Sequence, residues 1–185
     1  MGLETKTKNY VVGEDRSWAT IKYTGVYDIQ QLLSAITNWF GQRNYLRMDE
    51  EHTEKVGASG NELKVIMAAV RKVSWYVQFM ITIDIEVMRN IDVLVAKNED
   101  KEKQQHGEID VRIKALINKN YKNTFKDKST SKFQEFLRRI YERFIIPGTL
   151  KKYRRKLAGE TESLIDEVKR TLGVKNEERT MQEPE

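Results

Sequence analysis

From Val77 to Val87 the chain reads Val77-Gln78-Phe79-Met80-Ile81-Thr82-Ile83-Asp84-Ile85-Glu86-Val87, with a large apolar or aromatic residue at every odd position and polar residues or Met80 at the even ones. Alternate side chains of a strand point to opposite faces, so the run predicts a central antiparallel strand with one buried and one wetter face. A helix over the same residues would group Asp84 with Ile81 and Ile85 and bury a carboxylate without a visible partner.

The other elements follow from the same patterning. Residues 1–16 show no sustained period and predict a flexible arm, in which Tyr10-Val11-Val12 can add a short edge strand. Trp18 to Val26 alternates and predicts a first strand. Asp28 is a helix N-cap, and Ile29, Leu32, Leu33, Ile36, Trp39 and Phe40 follow at helical spacing, closing near Gly41. Strands are predicted over Tyr45–Val56 and Glu62–Val73, joined by a turn at Gly57-Ala58-Ser59-Gly60. A short connection at Ser74-Trp75 makes the central strand antiparallel to its predecessor. Arg89-Asn90 marks a kink, after which Ile91–Val95 continues the strand. Lys97–Gly107 is charged, without large apolar residues, and predicts a solvated loop; Glu108–Ile117 alternates again. Asn118–Asn123 starts a polar loop. Phe133, Phe136, Leu137, Ile140, Tyr141 and Phe144 predict a helix, Pro147-Gly148 a break, and Thr149–Leu172 a last helix capped by Gly173. Val174–Glu185 is polar and predicts a disordered tail.

Strand, helix, several strands joined by short turns and two helices describe a two-layer α+β domain. An antiparallel sheet of about five to six strands is covered by an N-terminal helix and two C-terminal helices. The division expected is an arm at 1–16, one domain at 17–173 (sheet region 17–119, helical region 129–173) and a tail at 174–185.

Composition narrows the function classes. Of 185 residues, 33% are charged and 39% hydrophobic, which suits a soluble domain with a heavily charged surface. The absence of cysteine excludes a disulfide framework, a thiol nucleophile and thiolate metal sites. Met1–Gly13 has no apolar signal-peptide core and no run reaches transmembrane length, so a cytoplasmic location is expected. Abundant Lys and Glu with scarce Pro lean towards a thermophile-like surface. The net charge of +5 is unevenly placed: from Arg112 to Lys156 fifteen Lys and Arg face three Asp and Glu, a net +12. Such asymmetry points to an anionic partner.

Catalytic motifs are absent: no glycine-rich phosphate loop, no nucleophile elbow, no zinc-protease helix. His52 and His106 stand alone in polar segments and read as surface residues. An enzyme is therefore not favoured, and neither a metal nor a cofactor is called for. Asp84 and Glu86 share a strand face that Glu108 and Asp110 can adjoin; paired carboxylates serve acid–base or cation chemistry, but the plainer reading is a solvated face bridged to Lys and Arg. The same even face carries Ile66, Ala68, Val70, Met80, Met88 and Leu116, so Met80, Thr82, Asp84 and Glu86 form a possible ligand face. Arg138, Arg139, Arg143, Lys151, Lys152, Arg154, Arg155 and Lys156, interleaved with Tyr141 and Tyr153, form a candidate surface for nucleic acid, an acidic protein face or anionic lipid. No known nucleic-acid-binding signature accompanies them.

The run Val73–Val95, Gly107-Glu108-Ile109-Asp110-Val111, Asn120-Tyr121, Phe136-Leu137-Arg138-Arg139-Ile140-Tyr141-Glu142 and the closing helix with Tyr153, Leu157, Leu164-Ile165 and Leu172 together resemble a family of small archaeal α+β proteins with no known activity. The resemblance spans about Ala19 to Gly173 and implies a cytosolic α+β protein, with no catalytic residue to carry over. The element order is also similar to helix-grip ligand-binding domains, with fewer strands before the final helix. The expected function is a non-enzymatic binding module using the basic helical surface. The alternatives are a ligand-binding domain or enzyme with a cleft between sheet and helices, and a peripheral protein of anionic membrane surfaces.

Overall fold

A computed structural model describes residues 3–6, 18–57, 60–97, 100–119 and 146–173. In chain order these form β1 (Leu3–Lys6), β2 (Ala19–Tyr27), α1 (Ile29–Gln42), β3 (Leu46–Gly57), β4 (Gly60–Lys72), β5 (Val77–Lys97), β6 (Asp100–Lys119) and α2 (Ile146–Thr171). The fold is α+β, with one six-stranded antiparallel sheet in the order β1-β2-β6-β5-β4-β3. The first long strand thus pairs with the last, and β3 to β6 form a meander beside it.

The odd positions of the alternating strands make the core. Phe79, Ile81, Ile83 and Ile85 of β5, Val111 and Ile113 of β6, Ile21 of β2, and Val65 and Ala69 of β4 are fully buried. Both helices lie on this face. α1 starts as its sequence requires: the Asp28 carboxylate accepts from the Gln31 backbone N–H at 3.0 Å. It buries Ile29, Leu32, Ile36, Trp39 and Phe40. α2 buries Leu157, Leu164, Ile165, Val168 and Leu172, and the Tyr153 ring meets Phe79 edge-on at 6.0 Å. Gly173, at φ +73°, caps α2 in the left-handed region that glycine adopts without penalty.

Several expectations are revised. Leu3–Lys6, placed in the flexible arm, pairs with Tyr23–Thr20 as an edge strand, while Tyr10–Val12 lies outside the described residues. The predicted loop Lys97–Gly107 is mostly strand: Ile91–Lys97 pairs with His106–Asp100 as a long hairpin. The returning strand Asp100–His106 contains no apolar residue, so alternation gave no signal there. The expected kink at Arg89-Asn90 is a bulge between Met88 and Ile91, with Arg89 at φ 54°. The extra residue reverses which side chains face the core, and Ile91 is left exposed. Pro147-Gly148 does not break the last helix but lies in its first turn, where a missing N–H costs nothing. The predicted helix carrying Phe133 to Phe144 lies outside the described residues, as do Asn120–Asn123 and the tail 174–185. The described chain has two helices, one after β2 and one C-terminal.

Candidate functional site

One end of the molecule gathers the β4–β5 turn, the end of β6 and the start of α2. The pairing Val77↔Lys119 and the pair Phe79–Tyr153 fix that arrangement. Lys72, Lys119, Lys151, Lys152, Arg154, Arg155 and Lys156 lie there, all exposed, and none forms an ion pair among the described residues. Residues 72–78, 116–119 and 146–159 contain no Asp or Glu. The first turn of α2 has no acidic residue either, so the positive end of its dipole adds to the side-chain charge. The amphipathic spacing of α2 explains the exposure: its apolar residues face the sheet, which leaves the lysines and arginines between them in water.

The turn at this pole is rigid. The Ser74 hydroxyl accepts from the backbone N–H groups of Tyr76 at 3.3 Å and Val77 at 3.0 Å, and the Ser74 N–H donates to the Val77 carbonyl at 3.0 Å. Tyr76 is buried, whereas Trp75 beside it is 51% exposed. A groove of about 210 Å³ runs between Trp75, Tyr76 and Val77 on one side and Thr149, Leu150 and Tyr153 on the other.

Of the residues singled out in the sequence for an anionic partner, Lys151, Lys152, Arg154, Arg155 and Lys156 share this pole. Arg138, Arg139 and Arg143 lie outside the described residues. Lys72, Lys119 and Trp75 were not singled out; they join the pole only through the strand register, which their sequence spacing does not show. The apolar stripe Leu150–Leu172, which a lipid-surface helix would need in contact with the membrane, is packed instead against the sheet from Leu157 onward. Among the described residues no helix is long and apolar enough to cross a membrane.

Met80, Thr82, Asp84 and Glu86 do share one face, but it is the face away from α1 and α2, so they do not line a cleft between sheet and helices. On that face Asp84 pairs with Arg112 across the β5–β6 register and Glu86 with Asp110. Arg112 Nη2 lies 2.6 Å from Glu86 Oε1 and 3.0 Å from Asp84 Oδ2, Lys64 Nζ 2.8 Å from Glu86 Oε1, and Lys22 Nζ 3.4 Å from Asp110 Oδ2. This is the bridged carboxylate cluster of a sheet face. Burial raises the Asp84 pKa above the ordinary carboxylate value, against the pull of Arg112 and Lys64. Glu86 is held below its ordinary value, chiefly by the hydrogen bond from Lys64. Asp84 Oδ1, Asp110 Oδ1 and Arg112 Nε are buried without a hydrogen-bond partner. A shallow cavity of about 330 Å³ adjoins the cluster, lined by Thr53, Lys55, Glu62, Lys64, Glu86 and Met88 among others.

His52 on β3 and His106 on β6 are separated by β4 and β5 and exposed. Among the described residues no group of three or more His, Asp or Glu side chains is placed to hold a metal ion. A polar groove of about 380 Å³ between α1 and α2 contains Arg43, Ser163, Glu167 and Arg170, but these partner one another or Trp39. No protein-family model matches the chain, and no curated protein or solved structure matches it.

Proposed function

We propose that this protein is a binding module whose basic pole, centred on the start of α2, takes a polyanionic partner. The observation that supports the reading is the segregation of charge: seven exposed cations without ion pairs share a pole that carries no carboxylate among its described residues. Like charges so placed repel one another and cost stability in isolation, and a polyanion relieves that cost while releasing its own counterions. The acidic cluster on the sheet is, by contrast, already neutralised by Lys22, Lys64 and Arg112. The test is retention on immobilised polyanions through a salt series, with Lys151, Lys152, Arg154 and Arg155 changed to Gln in a parallel sample. Binding should weaken steeply with salt and in the variant; salt-independent retention, or retention unchanged in the variant, would remove the reading.

A second reading is a small polar ligand on the open sheet face, supported by the unpartnered atoms of Asp84, Asp110 and Arg112 beside a cavity. It predicts a ligand whose stabilisation of the fold in a thermal screen is lost in Asp84→Asn.

A further inference from the structure

We infer that the solvent face of α1 is the contact surface for a second copy of this chain, the two helices meeting across a two-fold axis midway between Gln31 and Asn38. This goes beyond the reading of the basic pole and does not rest on it. α1 is 14 residues long and contains no Asp, Glu, Lys or Arg, in a chain of which 33% is charged. α2, packed beside it, has eleven such residues among its 26. The face is nonetheless in water: Gln30, Gln31, Ser34, Asn38, Gly41 and Gln42 are all exposed. Helix propensity does not select this set. Ser, Asn and Gly are poor helix formers, and Glu, Lys or Arg would suit the same exposed positions better. Depletion of charge is instead the compositional mark of a protein–protein contact.

The chemistry of the face names the occupant. The side chains of Gln31, Ser34, Asn38 and Gln42 have no hydrogen-bond partner among the described residues. They form one wall of the polar groove beside α2, whose other wall is already satisfied: Ser163 Oγ accepts from Arg43 Nη2 at 2.9 Å, and Arg170 pairs with Glu167. An amide carries both a donor and an acceptor and can pair with a copy of itself, whereas a lysine or a carboxylate set against its own copy repels. A two-fold contact sets one patch against the same patch, which favours a face that is uncharged and rich in such groups. In antiparallel register about the middle of the helix, Gln31 of one copy meets the partner's Asn38, and the small Ser34 and Ala35 lie at the crossing, where they let the helices approach. A polyanion finds no cation on α1, and a lipid surface finds no apolar stripe on its exposed side. The groove begins at Ser163, past Lys156 along α2, so a partner seated there leaves the basic pole open. The helix is about 21 Å long and ~10 Å wide, a strip well short of the ~800 Å² per partner of a standard interface, so the pairing is weak and concentration-dependent.

The experiment follows the molar mass of the full chain by sedimentation equilibrium, from micromolar to millimolar concentration. Wild type, Ser34→Lys, Ser34→Glu and an equimolar mixture of the two variants are compared. Ser34 is exposed, and both substitutions replace a weaker helix former by a stronger one, so the monomer keeps its fold; thermal melting verifies it. Wild type should pass from monomer to dimer as concentration rises. Each variant alone sets like charges beside the axis and should dimerise more weakly by about tenfold or more, whereas the mixture sets opposite charges there and should recover dimer. A wild type that stays monomeric throughout would overturn the inference. So would a dimer indifferent to Ser34→Lys, which would place the contact on another surface, or a mixture no more associated than either variant alone, which would rule out the two-fold register.

Discussion

The Arg71 guanidinium and the Glu160 carboxylate, 89 residues apart, meet between the sheet and α2, with Arg71 Nη2 at 2.7 Å from each carboxylate oxygen. The pair is mostly buried, at 16% and 14% side-chain exposure. It is built into a stack: the guanidinium lies 4.7 Å from the Tyr45 ring and 5.4 Å from Phe79, donates to the Arg43 carbonyl, and the Tyr45 hydroxyl donates to Glu160 Oε2 at 2.8 Å. Removing either charge strands the other where water cannot solvate it. Glu160→Gln should cost about 2–3 kcal/mol in denaturant melts, a little under the ~3–5 kcal/mol of a fully buried pair. Burial, then the Glu160 hydrogen bond, raises the Tyr45 pKa, so the same variant should lower the Tyr45 titration point measured by absorbance.

Asp84 and Glu86, two residues apart on one face, should respond to pH with opposite sign. The Asp84 pKa is raised on folding, so its carboxylate opposes folding once pH rises through its unfolded value and into the folded one. Asp84→Asn should therefore stabilise the protein at about pH 7, by about 1 kcal/mol or less, and have little effect at about pH 3. The Glu86 pKa is lowered, so it contributes stability above the ordinary Glu value that is lost as pH falls through the folded one. Glu86→Gln should be destabilising by under ~1 kcal/mol at neutral pH, since the pair with Lys64 is partly exposed, and close to neutral in acid. Urea melts of both variants at the two pH values check this.

Two glycines should give opposite results when changed to alanine. A Cβ on Gly107 would lie 2.8 Å from the Met88 carbonyl oxygen and 3.0 Å from that of Arg89, both backbone atoms of the bulge. Gly107→Ala should cost about 1–3 kcal/mol, as other forced overpacking does. A Cβ on Gly159, in the middle of α2, meets nothing within 4 Å. Gly159→Ala should raise stability by about 0.5–1 kcal/mol through helix propensity alone. Thermal melts distinguish the two.

If the basic pole binds a polyanion, the salt dependence of its affinity for a single-stranded oligonucleotide probe counts the phosphates it neutralises. The slope of log affinity against log salt should become shallower by about 0.7 for each phosphate left without its cation. Replacing Lys152 and Lys156 together should therefore change the slope by about 1.4, whereas replacing Lys22, which is occupied by Asp110, should leave it unchanged.

Periodicity made most of the sheet legible: β2, β4, the central part of β5 and β6 from Glu108 alternate because one face is buried and the other wet. α1 was legible from its cap to its last aromatic. The segments that escaped are those where burial is not one-sided. β1 lies at the edge, and the returning half of the outer hairpin, Asp100–His106, contains no apolar residue, so neither has a hydrophobic period to read. A proline in a first turn and a proline that breaks a helix look alike in sequence, which is why Pro147 reads there as a break. The cations of α2 were visible as a cluster, but their neighbourhood was not. Trp75 and Lys119 come to them from the strands, and only the register places them together.

The outer part of the β5–β6 hairpin has a mechanical consequence. β4 pairs with β5 only as far as Asn90, and β2 with β6 only as far as Gln105, so Val93–Lys97 and its partners continue as a two-stranded ribbon with no third strand beside it among the described residues. At ~3.3 Å per residue the ribbon extends about 17 Å past the rest of the sheet. Two strands alone are marginal in water. The ribbon can therefore open and close on its own, and the bulge at Arg89-Asn90, with Gly107 locked beneath it, is where that opening stops. The molecule has a fraying end and a fixed end, and amide exchange should run as a gradient between them, quicker in Val93–Lys97 and slowest around the buried pair Ile83 and Ile113.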